Sequence, residues 1–282
     1  MTRQLRVAAF HDISCAGKCS LTVALPIISA AGIEVSVVPT AVLSTHTGGF
    51  SGYTYRDLSG DLIPIINHWQ TLDLKIDALY SGFLGSAAQI DIMSQIFDAL
   101  KTEDNLIIID PVMADEGSLY KVYDESYPQG MKKLCKKADI IVPNITEAAL
   151  LTNMPYTHGP YKESYILDLL KGLKQFGAKV IVLTGVYFDE RHLGVAVYDC
   201  EADKISYAFA QKIEGFYHGT GDVFASAFIA AYLKKKSLYK CGKIAVDFTV
   251  ESILRTKKAG TDRRYGVNFE QGLKKLAKLL ND

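Results

Sequence analysis

The chain has 282 residues, 49% of them hydrophobic and 22% charged, and its 31 basic and 31 acidic residues cancel. A chain this apolar with no net charge is not intrinsically disordered. Lacking a basic excess and a membrane-length apolar run, it is neither a dedicated nucleic-acid binder nor a membrane-spanning protein.

The start, Met1 to Val7, runs straight into a strand-like segment and lacks the features of a signal peptide. Cys15, Cys19, Cys135, Cys200 and Cys241 are sparse and odd in number, which points to a reducing cytoplasm. Cys15 and Cys19 find no second pair at zinc-ligand spacing. No Pro/Gly/Ser-rich linker divides the sequence, so residues 1–282 read as one domain.

Short β-branched runs alternate with longer amphipathic segments. Leu5–Phe10 reads as a strand, Ser20–Ala31 as a helix stopped by Gly32, and Ile33–Pro39 as a second strand. Ile76–Gly82 is a strand, followed by a helix over Ala87–Leu100. Asn105–Asp110, Ala138–Val142 and Lys179–Thr184 are Ile/Val runs without polar alternation, as expected of parallel strands covered on both faces. Tyr161–Phe176 fits the helix before the last of them. Leu193–Asp199 and Lys204–Ala210, joined by the polar turn Cys200–Asp203, predict an antiparallel hairpin at a sheet edge. Helices follow over Thr220–Lys235, Tyr239–Arg255 and Asn268–Leu280. This order predicts an α/β fold, a three-layer αβα sandwich with a mostly parallel central sheet. Ligands in such folds bind beyond the carboxyl ends of the strands. Lys234-Lys235-Lys236 is a solvated helix end favourable to the helix dipole.

Gly17-Lys18-Cys19-Ser20 sits between a strand and a helix, where a P-loop would lie. However, Asp12 stands at the first required glycine and Cys19 at the required Ser/Thr, so the motif fails twice. The strongest chemical signal is His218-Gly219-Thr220-Gly221-Asp222 at the start of an apolar helix. Two glycines let the backbone approach an anion, and the helix end offers unpaired N–H groups. Asp222 beside them could take the proton of an attacking hydroxyl, its pKa lowered by the helix end, or could simply cap the helix. Asp110-Pro111-Val112-Met113-Ala114-Asp115 and Pro143-Asn144-Ile145-Thr146-Glu147 end neighbouring strands with acids. Such acids suit Mg²⁺ reached through water and shared with phosphates, or serve as helix caps. Thr184-Gly185 ends a further strand.

Gly219-Thr220-Gly221-Asp222, Asn144-x-x-Glu147 and Asp110-Pro111-Val112 together resemble the ribokinase-like superfamily, in its vitamin-kinase branch, and most closely the pyridoxal/pyridoxamine kinases. The likeness runs from about Val7 to about Tyr232. Leu43-Ser44-Thr45-His46-Thr47-Gly48 is similar to their Ser-Asn-His-Thr-Gly stretch, and Gly117-Ser118-Leu119-Tyr120 to their Gly-Ser-Met-Tyr.

The resemblance implies Asp222 as base for a 5′-hydroxymethyl group, with Gly219, Thr220 and Gly221 as the anion hole. Asp110 and Glu147 would organise Mg²⁺ around ATP, with Asn144, Thr184 and Gly185 at the nucleotide and Asp115 and Tyr120 in a loop over its phosphates. Asp12, His46, Thr47 and Phe83 would contact the vitamin ring. A homodimer, formed through an edge flap of Ile33–Val38 with Thr47–Tyr55, is implied by the same analogy, and dependence on a monovalent cation is left open. One stretch departs. After the first strand, His11-Asp12-Ile13-Ser14 with Ala16-Gly17 looks more like hydroxymethylpyrimidine kinases than the Ser-His-Val of pyridoxal kinases. That kinase activity and a non-catalytic binder of pyridoxal phosphate or nucleotide are the alternatives.

Overall fold

A computed structural model describes residues 3–281; Met1, Thr2 and Asp282, including the first residues of the segment judged not to be a signal peptide, lie outside them. In chain order the elements are β1 (Arg6–Ala16), α1 (Leu21–Ala30), β2 (Glu34–Thr45), β3 (Tyr55–Asp57), α2 (Ser59–Gln70), β4 (Ala78–Ser81), α3 (Ala87–Leu100), β5 (Leu106–Ile109), β6 (Ala114–Asp115), β7 (Ser118–Leu119), α4 (Tyr127–Cys135), β8 (Ile140–Ile141), α5 (Ile145–Thr152), α6 (Glu163–Lys174), β9 (Val180–Val186), β10 (His192–Asp199), β11 (Lys204–Gln211), α7 (Thr220–Leu233), α8 (Leu238–Ala259) and α9 (Leu273–Asn281). The chain gathers into two compact units. One holds the chain up to Asp77 and from Ile213 onward, and the other holds Ala78–Lys212.

In the first unit β1 pairs parallel with β2, and β3 adds antiparallel to the β2 edge at Ala41–Leu43. Val7 to Phe10 of β1 are fully buried. The helix α7 is apolar nearly all round, as a buried helix must be, and packs on α1 and α8. In the second unit the strand order is β11-β10-β9-β8-β5-β4. β4, β5, β8 and β9 run parallel, and β10 and β11 turn back antiparallel, the predicted edge hairpin. Ile107–Ile109, Ile140–Ile141 and Val180–Leu183 are buried, which explains their unbroken apolar runs. Among the described residues no helix is long and apolar enough to cross a membrane.

Several boundaries differ from expectation, each for a physical reason. β1 continues past Phe10 to Ala16, because Asp12 and Ser14 hydrogen-bond each other inside the strand and so interrupt the apolar pattern without ending it. Asp12 therefore lies within the first strand and not after it. β2 likewise runs on to Thr45. Gly60 and Pro64 hide α2, and Pro128 and Gly130 hide α4. The last helix starts at Leu273 and not at Asn268, whose backbone N–H is taken by Thr256 and whose side-chain amide is taken by Thr261.

Candidate active site

In the first unit the site is built around the N-terminus of α7. Gly219 takes the left-handed conformation, φ 73°, that lets the chain turn into the helix, and no side chain caps it. A Cβ on Gly219 would meet the Lys18 carbonyl oxygen at 2.1 Å, so this glycine is fixed by close approach of the Gly17–Ser20 loop. At Gly221 the opposite holds. A Cβ there would meet nothing within 4 Å, so the first turn of α7 faces open space. A helix start with unpaired N–H groups, no cap and an empty cradle is a ready anion site. The Thr220 hydroxyl donates to the Tyr217 carbonyl at 3.1 Å, leaving its backbone N–H for a ligand.

Asp222 lies in that first turn. Its Oδ2 accepts from the Ser20 backbone N–H at 2.9 Å. Burial pushes its carboxyl up to about 7, opposed by that hydrogen bond and reinforced by the charge of Asp12. The sequence-based expectation of a pKa lowered by the helix end is thereby corrected. The residue keeps some accessible surface, but burial of its carboxyl outweighs the one N–H bond it accepts. Asp12 is buried at 4% exposure, where the β1–β2 register shifts between His11 and Ile13, and the Ser14 hydroxyl donates to it at 3.2 Å. A bulge re-aims a side chain in this way. Burial raises the Asp12 carboxyl too.

His46 follows β2 and is buried. Its Nδ1 accepts from the Gly48 N–H at 3.2 Å, so Nε2 carries the proton and donates to the Arg264 carbonyl at 2.6 Å. Both ring nitrogens serve backbone, so His46 can offer a ligand a ring face but no polar atom. His46 packs against Phe50 and His218. Thr47, the next residue, is half-buried in the same loop. A cavity of about 360 Å³ lined by Phe216, His218, Asp262, Arg263 and Arg264 opens beside this wall. Lys18, the decoy P-loop lysine, is turned away to Asn268 and Glu270 at 2.9 and 3.1 Å.

In the second unit the strand-end residues gather around the N-terminus of α5. Asn144 Oδ1 accepts from the Glu147 N–H and Glu147 Oε2 from the Asn144 N–H, both at 2.9 Å, a complete capping box. Glu147 Oε1 accepts from the Met113 N–H at 3.0 Å, and burial holds the carboxyl well above the usual range. The Asn144 amide donates to the Ala114 carbonyl, and Asn144 bridges Thr184 of β9. Asp110, just beyond β5, is buried. Asp115 sits on the β6–β7 hairpin, its carboxyl raised by burial. Tyr120 follows that hairpin, 38% exposed, its backbone N–H on Met113. Gly185 has φ 78° within β9. Phe83, beyond β4, is partly exposed and lies 5.9 Å from the Tyr123 ring.

Among the described residues no three His, Cys, Asp or Glu side chains converge as a metal cage. Asp110 and Glu147, the two acids expected to face Mg²⁺, are both buried at these strand ends. With both Glu147 oxygens already on backbone N–H groups, the set fits a hydrated cation that keeps its water and shares phosphate oxygens. Sequence reasoning missed Ser20 and His218 as site residues, and Lys18 as the support of Gly219. His218 adjoins the Gly219–Asp222 motif, which marks the helix start but not its own ring contact with His46; Ser20 and Lys18 act through backbone on residues distant in sequence.

The phosphomethylpyrimidine kinase family matches residues 25–267. The hydroxymethylpyrimidine/phosphomethylpyrimidine kinase of Aquifex aeolicus is 31% identical over 199 residues, 66% of this chain and 74% of that protein. A pyridoxal kinase of Haemophilus influenzae is 27% identical over 224 residues, 73% of each chain. Among solved structures, the pyridoxal kinase from Lactobacillus plantarum superposes with a TM-score of 0.88 at 32% identity, covering 99% of this chain and 98% of that one. A phosphomethylpyrimidine-kinase-like protein of Bacteroides thetaiotaomicron, solved with pyridoxal, gives 0.91 at 33% identity, covering 99% and 96%. The chain therefore belongs to the phosphomethylpyrimidine kinase family, phosphotransferases with an alcohol acceptor, and has the ribokinase-like fold of the pyridoxal kinases.

Proposed function

We propose that the protein transfers the γ-phosphoryl group of ATP to the 5′-hydroxymethyl group of a B6 vitamer, forming pyridoxal 5′-phosphate or its pyridoxamine or pyridoxine counterpart. The observation that carries this reading is Asp222 at the open, uncapped start of α7, its carboxyl raised to about 7. A base with a pKa near the working pH combines a useful ionised fraction with real proton affinity. As the hydroxymethyl oxygen bonds to phosphorus and the bond to ADP breaks, the hydroxyl proton passes to Asp222. The N–H groups of Gly219, Thr220 and Gly221, with that of Asp222, stabilise the charge on the phosphoryl oxygens. Asp12 orients the ring through its polar atoms. Thr47 contributes a hydroxyl, and His46 contributes a ring face.

In the second unit Asp110 and Glu147 would hold the water shell of Mg²⁺. That ion, when bound with ATP, neutralises phosphate charge. Asn144, Thr184 and Gly185 line the nucleotide, and Asp115 and Tyr120 belong to a loop over its phosphates.

A second reading, hydroxymethylpyrimidine kinase, is favoured by Asp12 at the β1 bulge, which differs from the pyridoxal-kinase pattern, and by the likeness to the Aquifex aeolicus enzyme. ADP release with MgATP and pyridoxal, pyridoxamine, pyridoxine, hydroxymethylpyrimidine or ribose separates the two. Turnover of the three vitamers at least tenfold above the pyrimidine supports the first reading, and the reverse order supports the second.

A further inference from the structure

His218 stands immediately before the Gly219 turn into α7, and its ring is half-buried. The ring centroid lies 5.1 Å from that of His46 and 4.8 Å from that of Phe216. Burial and the neighbouring His46 hold its pKa below the usual imidazole value, so it packs as a neutral ring. One edge of the ring meets the backbone of Gly48 and Gly49. A Cβ on Gly48 would lie 2.5 Å from Nδ1 and 2.6 Å from Cε1 of His218, and a Cβ on Gly49 would lie 3.1 Å from its Nε2. Gly49 needs to be glycine for its own backbone, φ 77°. Gly48 does not, since its φ lies outside the left-handed region. The next atom that a Cβ on Gly48 would meet is His46 Nδ1 at 3.4 Å, an ordinary contact. The His218 ring is therefore what excludes a side chain at position 48. The same loop is tied at its start by the Gly48 N–H on His46 and by Phe50 packed edge-on to His46 at 5.0 Å.

We propose that His218 is the positioning residue that seats the Thr47–Phe50 loop on the start of α7, with Gly48 as the gap that fits its ring. The inference rests on the reading that this loop borders the acceptor and that the start of α7 receives the phosphoryl group. The loop carries Thr47 beside His46, and α7 carries Asp222 and the anion hole. Transfer in line requires the two to keep register, and a displacement of about 1 Å in such a pair can cost about a hundredfold in rate. A ring lying flush on a glycine backbone holds that register by close packing, and a small gap forfeits much of the attraction. His218 acts through the loop and not on the substrate itself.

The test is a double-mutant cycle in the full-length protein: Gly48→Ala, His218→Ala and both together, with Asp222→Asn alongside. The readouts are kcat and KM for the accepted hydroxymethyl substrate, KM for ATP, and melting temperature. Gly48→Ala forces the ring and the loop apart, so kcat/KM for the acceptor should fall about a hundredfold while KM for ATP stays unchanged. His218→Ala leaves the loop unseated and should cost about tenfold in the same quantity. In the double variant the new methyl enters room that the ring has left. There Gly48→Ala should cost less than about twofold beyond His218→Ala alone. If Gly48→Ala does not fold by itself, adding His218→Ala should restore a folded protein with the activity of the His218→Ala single variant. Equal losses from Gly48→Ala in both backgrounds, wild-type kcat/KM in either single variant, or no recovery in the double variant overturns the seat. Asp222→Asn separates this from the reading beneath it. If Asp222→Asn retains activity within tenfold of wild type, the base assignment falls; if it is inactive while the cycle shows no coupling, only the role of His218 falls.

Discussion

The helices α5 and α7 each carry an acid in the first turn with its carboxyl raised by burial, and their N-termini are finished in opposite ways. At α5 the Asn144–Glu147 capping box closes the terminus, and the remaining Glu147 oxygen is spent on Met113. At α7 there is no cap, the N-cap is a left-handed glycine, and Asp222 has a single N–H bond, on Oδ2. Both carboxyls are raised by burial. Raised pKa therefore does not distinguish a reactive acid from a structural one here. What distinguishes them is whether the acid's oxygens and the helix N–H groups are still available. The closed terminus builds and holds a framework, and the open one can receive an anion and a proton.

The largest effect should come from the open terminus. Asp222→Asn removes the proton acceptor while keeping an oxygen for Ser20, and kcat should fall by about 10²- to 10⁴-fold with little change in KM for ATP, as read by steady-state ADP release. Gly221→Ala comes next. Its methyl enters space that the fold leaves empty, and alanine is the better helix former by about 1 kcal/mol, so the melting temperature should hold or rise. The methyl would still lie in the anion cradle and should lower kcat by about a hundredfold. If Gly221→Ala keeps full activity, the cradle is not where the phosphoryl group goes. The smallest effect belongs to the closed terminus. Asn144→Ala breaks the capping box and should cost about 1 kcal/mol, seen as a lower denaturation midpoint. Because Asn144 is also proposed to line the nucleotide, KM for ATP should rise alongside the fall in stability; an unchanged KM would leave Asn144 only the cap.

How far the sequence revealed this contrast follows from where each signal resides. The parallel strands were legible because Leu106–Ile109 and Val180–Leu183 are apolar on both faces. The edge hairpin was legible from its polar turn. The Gly219–Asp222 motif announced the open helix end, since both glycines and the acid lie in four consecutive residues. The continuation of β1 through Asp12 was not legible, because a buried acid hydrogen-bonded by Ser14 looks like a loop in a linear reading. The raised carboxyl of Asp222 is not legible in the sequence, because the helix end is local in the chain while the burial that raises it comes from distant residues. His46 was read as a ring contact, but its nitrogens are committed to Gly48 and to Arg264, 218 residues away. Ser20 carried no signal at all, because its N–H bond reaches Asp222, 202 residues further on.

In the proposed mechanism Asp222, held at an open helix start with its carboxyl pushed up to about 7, takes the proton of the acceptor hydroxyl. It must be ionised to do so, and it gains its proton as pH falls through about 7. The most direct test is kcat/KM for the acceptor between pH 5 and 9 at saturating MgATP, for the wild type and Asp222→Asn. The account predicts a wild-type rate that falls about tenfold per pH unit below about 7, and a low rate without that limb in the variant. A wild-type profile that stays flat down to pH 5, or a variant that keeps the same limb, would contradict it.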